Sequence, residues 1–229
     1  NKSINKTTIP RDASSVIIIK KKYNKLYVLM GRRPRTSKFM PGIYVFPGGA
    51  LDKSDFKINK IFKLSTKVRR DFVKTRSDNH TIAIMLAAIR ETAEESGLYL
   101  IEKRDFKCSS INHAKVWQTF INNSFVPSIN NLYYFGRAIT PSFLKIRYHA
   151  RFFIADYNNF SGKIKSNGEL ENIDWIDIKK ASLLPVADVT EFLINRLIAI
   201  DKDNEIFKKI NAYPMFTRRN NKESIKWDM

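Results

Sequence analysis

From residue 90 to residue 97 the chain reads Arg90-Glu91-Thr92-Ala93-Glu94-Glu95-Ser96-Gly97. The surrounding pattern is helical from about Thr81 to Ser96: Ile82, Met85, Leu86, Ile89 and Ala93 recur at three- to four-residue spacing. Asp78 or Asn79 can cap the start, and Gly97 suits the left-handed position after the end. Projected at about 100° per residue with Ile82 at zero, the apolar set lies within roughly 60° of the origin, and Glu91, Glu94 and Glu95 fall at about 180°, 120° and 220°. The carboxylates therefore gather opposite the core. Such a face is either simply solvated or supplies the oxygen ligands that hard divalent cations take. Upstream, Ile43-Tyr44-Val45-Phe46 ends in Pro47-Gly48-Gly49, where missing side chains let another group approach the main chain closely.

The elements that must position these residues follow from periodicity. Residues 14–20 and 26–31 read as two strands joined by a polar turn, a hairpin. A basic loop from Arg32 to Gly42 leads to the glycine bend, and residues 51–80 carry mixed charge and scattered anchors such as Phe56, Phe62, Val68 and Phe72. A helix is expected over Ile111–Asn122, strands at 133–139, 150–156 and 172–178, and an amphipathic helix from Thr190 to Ile200, extending toward Ile210. Phe152 and Phe153 read as core strand residues rather than a base-stacking platform. Strands and helices mix without a regular βαβ rhythm, which argues for an α/β/α layered fold with a mixed sheet.

A chain of 229 residues is long enough for one sizeable core. No apolar run approaches the ~20 residues that cross a bilayer, and the first residues carry no secretory signal pattern. Cys108 is the single cysteine, which excludes an internal disulfide and a cysteine-based zinc site and makes a reducing, cytoplasmic setting the expectation. His80, His113 and His149 show no ligand spacing. The net charge of +19 would concentrate polyanions near the surface, yet the lysines are scattered, so charge alone selects no partner.

Arg90 to Leu98 resembles the second half of the Nudix box, G-x5-E-x7-R-E-U-x-E-E-x-G-U with U apolar, and Phe46-Pro47-Gly48-Gly49 resembles its entry. Chance would align the fixed residues of the second half at a given position about once in a million. Counting from Gly49 places Asp55 at the first glutamate of the pattern, Thr92 stands where an aliphatic residue is usual, and residues 56–89 fill a gap for which the pattern has seven. This is similar to the Nudix branch with an insertion inside the box, which includes coenzyme A diphosphatases. The resemblance implies a Nudix-type α/β/α sandwich over 12–200, with 56–80 as insertion and 201–229 as a C-terminal helix end and tail. It implies Mg²⁺ or Mn²⁺ held by Glu91, Glu95, Glu94 and the carbonyl of Gly49, with Arg90 orienting the carboxylates. A polyanionic pyrophosphate repels hydroxide, so its hydrolysis needs cations that neutralise phosphoryl oxygens and acidify water. The general base is Glu94 or Glu169, the latter in the turn Asn167-Gly168-Glu169.

Coenzyme A diphosphatases carry L-L-T-x-R-[SA]-x3-R-x3-G-x3-F-P-G-G ahead of the box. This chain matches at Leu29, Arg33, Gly42 and Phe46 to Gly49, is conservative at Met30 and Lys38, and departs at Gly31 and Pro34. Coenzyme A adds a 3′-phosphate to its diphosphate, and Arg33, Arg35 and Lys38 are expected to meet those anions, with Gly48 offering main chain. The expected reaction is hydrolysis of coenzyme A or acyl-coenzyme A to 3′,5′-ADP and (acyl-)4′-phosphopantetheine. ADP-ribose, NADH or a dinucleoside polyphosphate is the nearest alternative substrate. A non-catalytic nucleotide or nucleic-acid binding module is the alternative of another class. The expected partner is a small nucleotide or coenzyme, with no membrane, nucleic acid disfavoured and a homodimer left open.

Overall fold

A computed structural model describes residues 8–58, 61–64, 74–102, 115–201, 206–219 and 222–228. Val68, Phe72, Cys108, His113 and the expected helix start at 111–114 lie outside the described residues. Strands β1 (Arg11–Lys22) and β2 (Lys25–Arg32) form the expected hairpin, each longer than its apolar run. Their register pairs Lys22 with Lys25, and the two turn residues, Tyr23 and Asn24, have φ of 49° and 58°. Left-handed backbone at both positions matches the right-handed twist of the flanking strands.

The short strands β3 (Tyr44–Val45) and β4 (Gly48–Ala50) pair with β2 and β1, so the glycine bend is fastened to the sheet rather than hanging as a loop. Then come α1 (Lys53–Ile58), α2 (Asp78–Ser96), β5 (Leu98–Glu102), α3 (Lys115–Asn122), β6 (Val126–Pro127), β7 (Tyr133–Ile139), β8 (Tyr148–Asp156) and β9 (Phe160–Gly162). After them follow β10 (Glu171–Asp177), α4 (Ile178–Ala181), α5 (Asp188–Ile200), α6 (Ile206–Lys209), β11 (Tyr213–Arg219) and β12 (Lys222–Asp228). The large sheet runs β10-β2-β1-β8-β7-β11-β12; β1 with β8 and β7 with β11 are parallel, the other pairs antiparallel. β5 joins β6 and β9 in a separate small sheet.

Alternation along β1 explains the layers. Val16 and Ile18 pack with α2 and α3 on one face, and Ile17 and Ile19 pack with α4 and α5 on the other. A strand buried on both faces reads as the unbroken apolar run Val16-Ile17-Ile18-Ile19. The architecture is therefore α/β, a mixed sheet between helical layers.

Three local differences from the sequence reading have physical reasons. The cap of α2 is Ser77, whose hydroxyl accepts from the His80 N–H at 3.2 Å. Asp78 then falls in the first turn, where its charge complements the helix dipole. The amphipathic helix ends at Ile200 with Asp201 as its C-cap, and Ile206–Lys209 forms a short turn of its own. Residues 213–228, read from sequence as tail, supply two strands instead; their alternation was masked by the exposed Lys222, Glu223 and Lys226 of the second strand. Trp227 docks there under the Arg196 guanidinium, 5.5 Å from the ring centre.

Candidate active site

The carboxylate side of α2 is mostly covered, with Glu94 the most open at 32% side-chain exposure. Helix and sheet close over it, so that Arg90 is 5% and Glu95 4% exposed. β4 crosses this face, and the contact is intimate: a Cβ built on Gly49 would lie 2.4 Å from the Glu91 carboxyl carbon. Only glycine permits that approach. The Gly48 N–H donates to Glu95 Oε2 at 2.8 Å, fixing the second carboxylate against the same bend.

Arg90 organises the cluster. Its Nε and Nη2 donate to Asp55 as a fork, at 2.8 and 3.1 Å, and Nη2 also donates to the Ala50 carbonyl at 2.9 Å. Its Nη1 reaches Glu91 Oε1 at 2.9 Å and Glu94 Oε2 at 3.0 Å. Burial opposes the charge of Arg90, but Asp55, Glu91 and Glu94 outweigh it and raise its pKa above that of an ordinary guanidinium. Asp55, completely buried, thus occupies the place of the pattern's first glutamate and clamps the arginine, although the inserted chain separates them in sequence. α1 and α2 thus bring the pair together across 35 positions of chain.

One guanidinium does not balance these acids. Burial pushes Glu95 up to about 8, and the charges of Glu91 and Glu169 add to the shift. Burial likewise pushes Glu91 to about 6 and raises Glu94, with Glu169 contributing to both. Glu169, on its exposed turn, is therefore brought to the cluster; its carboxylate accepts from Asn167 Nδ2 at 3.2 Å.

Glu91, Glu95, Gly48 and Gly49 form one end of a cavity of about 830 Å³ that Glu169 and Arg33 also line. Much of the remaining wall is apolar, from Phe39, Ile43, Phe143, Leu144, Phe152 and Phe216. Arg33 is steadied by donating to the Phe39 carbonyl at 2.9 Å. Arg35 and Lys38 are exposed and do not line the cavity, and neighbouring Arg32 is turned to Glu171 at 2.7 Å. Sequence reasoning missed the far wall, where Asp188 at the start of α5 meets Arg218 of β11 at 3.0 Å. The only signal for it was the alternation of Phe216 and Arg218.

The donor set suits a hard cation: carboxylate oxygens, a main-chain carbonyl at a position that excludes Cβ, and a surplus of negative charge away from water. Among the described residues no three acidic, histidine or cysteine side chains stand as a ready-made cage. The glutamates instead turn to Arg90 and to the Gly48 N–H, as like charges must when only those donors face them.

No protein-family model matches the sequence. "Putative nudix hydrolase 7" of Caenorhabditis elegans is 26% identical over 190 residues, covering 74% of this chain and 52% of that protein. "Acyl-coenzyme A diphosphatase NUDT19" of Xenopus laevis is 32% identical over 107 residues, 38% of this chain and 28% of that protein. The crystal structure of a NUDIX hydrolase from Alicyclobacillus acidocaldarius superposes with a TM-score of 0.66 at 22% identity, over 89% of this chain and 97% of that one, and so shares the fold. Over most of its length the chain is similar to Nudix hydrolases, and it has their fold. It spans about half the length of the Caenorhabditis relative and less of the Xenopus one. The box-like pattern is split: its two halves, 41 positions apart from Gly49 to Arg90, meet only in the folded chain, through the Arg90 fork and the Glu91 contact with Gly49. Among the described residues no helix is long and apolar enough to cross a membrane.

Proposed function

We propose that this Nudix protein hydrolyses the diphosphate of coenzyme A or its acyl thioesters, releasing 3′,5′-ADP and 4′-phosphopantetheine or its acyl form. The observation that carries the reading is the packing of Glu91 and Glu95 on Gly48-Gly49 at the end of a large, mostly apolar cavity. Glu91, Glu94, Glu95 and the Gly49 carbonyl would hold Mg²⁺ or Mn²⁺, which when bound supplies charge neutralisation and a more acidic water. A protein that only binds nucleotides or nucleic acid has no use for this surplus of buried carboxylates.

The chain's own groups divide the rest of the work. Arg90, locked by Asp55, keeps Glu91 and Glu94 oriented, and Gly48 N–H does the same for Glu95. Arg33 sits near enough for its charge to act on Glu95 and is placed to neutralise a phosphoryl oxygen. A water oxygen attacks one phosphorus, the bridging P–O bond breaks, and the proton lost by that water passes to Glu169, with Glu94 as the other candidate. The apolar wall around Phe39, Phe143 and Phe216 gives the pantetheine arm and its acyl chain a surface that ADP-ribose would leave unused. The Xenopus relative bears the name of an acyl-coenzyme A diphosphatase, which agrees with this choice.

The test is a turnover panel in Mg²⁺ and Mn²⁺ over coenzyme A, acyl-coenzyme A, ADP-ribose, NADH and a dinucleoside polyphosphate, with products identified by mass. Coenzyme A or its acyl forms should be cleaved fastest, to 3′,5′-ADP. Turnover of ADP-ribose or NADH without coenzyme A would overturn the substrate, and no turnover of any of them would overturn the hydrolase reading.

A further inference from the structure

The C-terminal strand brings to the cavity a cation that the Nudix box does not account for. β11 pairs in parallel with β7, Phe216 opposite Ala138 and Thr217 opposite Ile139. Alternation then sends Phe216 and Arg218 to one face, and both line the cavity. Arg218 Nη1 lies 3.0 Å from Asp188 Oδ2, and each side chain is 43% exposed. The glycine bend at Gly48 and Gly49 is paired with β1, whereas β11 lies three strands further across the sheet, roughly 14 Å away at the ordinary strand spacing. The cavity therefore presents guanidinium groups at two separate stations, one beside the carboxylates and one remote from them. A ligand with two separated anionic groups matches that spacing of charge.

We propose that Arg218 is a substrate-binding residue that recognises a phosphomonoester on the nucleotide half of the substrate, away from the diphosphate that is cut. The inference rests on the reading of the carboxylate end as the diphosphate end. In coenzyme A the group is the 3′-phosphate. Of the loop cations expected to meet it, Arg35 and Lys38 do not line the cavity and Arg33 lies at the carboxylate end. An ion pair as exposed as Arg218–Asp188 is weak, so exchanging the carboxylate for a phosphate is inexpensive. Asp188 remains favoured without its partner, because it stands in the first turn of α5 where the helix dipole stabilises a negative charge. The planar guanidinium suits a phosphate in bidentate fashion.

The experiment measures binding of 3′,5′-ADP and of 5′-AMP by calorimetry, and kcat and KM for coenzyme A and 3′-dephospho-coenzyme A, in the parent, Arg218→Ala and Asp188→Asn proteins. The parent should prefer 3′,5′-ADP to 5′-AMP, and Arg218→Ala should shrink that preference by about tenfold, carried by KM rather than kcat. Asp188→Asn, which removes the carboxylate charge beside the guanidinium, should keep the preference or increase it. Equal binding of the two nucleotides by the parent, an unchanged ratio in Arg218→Ala, or an equal loss in Asp188→Asn would each overturn the proposal, the last marking the pair as merely structural. A 3′,5′-ADP preference lost in Arg218→Ala while no coenzyme A is hydrolysed would sink the catalytic reading and leave this one standing. Coenzyme A hydrolysis with an unchanged ratio would do the reverse.

Discussion

Helix α2 has a buried charge cluster at either end, and the two are built on opposite accounts of charge. At its C-terminal end Asp55, Glu91, Glu94 and Glu95 surround the single guanidinium of Arg90. At its N-terminal end His80 donates to Asp12 at 3.0 Å, Asp12 accepts from Arg151 at 2.6 Å, and beyond them Arg137 forks on to Asp228 at 2.6 and 3.1 Å. His80 is tautomerically fixed there, since its Nδ1 accepts from the Arg76 N–H at 3.2 Å. Burial pushes against the ionised form of Asp12, but Arg151 and His80 prevail and lower its pKa. The glutamates at the other end go the opposite way, Glu95 to about 8. Buried charge alone therefore says little about function. A surplus of one sign in a low-dielectric place marks a site made to receive the other sign, and a balanced network marks a clasp. The clasp has its own consequence here, because Asp228 ties the C-terminal hairpin to the sheet and so holds Phe216 and Arg218 at the cavity.

The comparison is broken most directly at Glu95. Glu95→Gln keeps an oxygen for the Gly48 N–H and removes the charge, so turnover should fall on the order of 100- to 1,000-fold with the fold intact. Mn²⁺ at a hundred times its dissociation constant should raise the stability of the parent by about 2.7 kcal/mol, and that of the variant by much less. Unchanged turnover, or equal stabilisation by Mn²⁺, would show that this cluster is a clasp like the other.

Arg151→Met addresses the opposite end. It leaves Asp12 buried beside weaker partners, and stability should drop by about 3 kcal/mol, read from denaturant midpoints. Turnover per folded molecule should stay within about twofold, because Arg151 touches neither the cavity nor the glutamates. Arg90→Met should lose both stability and turnover, since its fork holds Asp55 and its remaining nitrogen orients Glu91 and Glu94. Loss of kcat in folded Arg151→Met would erase the distinction between the two ends.

The carboxylate end of this picture was legible in the sequence because its residues are neighbours on one helix, where a period of 3.6 fixes their faces in advance. Glu91, Glu94, Glu95 and Arg90 could be placed together from spacing alone, and the strand at Val16 to Ile19 declared its burial by composition. What stayed hidden depends on the return of distant chain. Nothing local to Asp55 says that it will fork with Arg90 across the insertion, or that Asp12 will meet His80 and Arg151. The acidic face of α2 looked equally suited to water, because amphipathic projection registers polarity and not what another strand lays over it. The hairpin at 213–228 escaped for the related reason that its outward residues are charged and its edge position gives no apolar run.

The finest separation of the two ends is the pH dependence of stability in chelator. Glu91 and Glu95 bind protons more tightly folded, at about 6 and about 8, than at the ordinary value of 4.5. Their contribution is complete below 4.5 and is lost as pH rises to about 8, so this cluster makes the metal-free protein weaker in alkali. His149 is opposite in sign: burial and the nearby charges of Arg151 and Arg137 depress it to about 3 from 6.5, so between those values the unfolded chain binds the extra proton and stability rises with pH. His149 offsets part of the glutamate loss below about pH 6.5, so urea midpoints should show no rise between pH 4.5 and 6 and should fall by about 1–2 kcal/mol from pH 6.5 to 8, where Glu95 titrates without that opposition. Glu95→Gln should flatten the decline above pH 6.5, and His149→Gln should steepen the decline below it, less so because His80 still opposes it, its pKa being also lowered, chiefly by burial. An alkaline decline that survives in Glu95→Gln would mean that the glutamate cluster is already balanced, and the contrast between the ends of α2 would fail at its root.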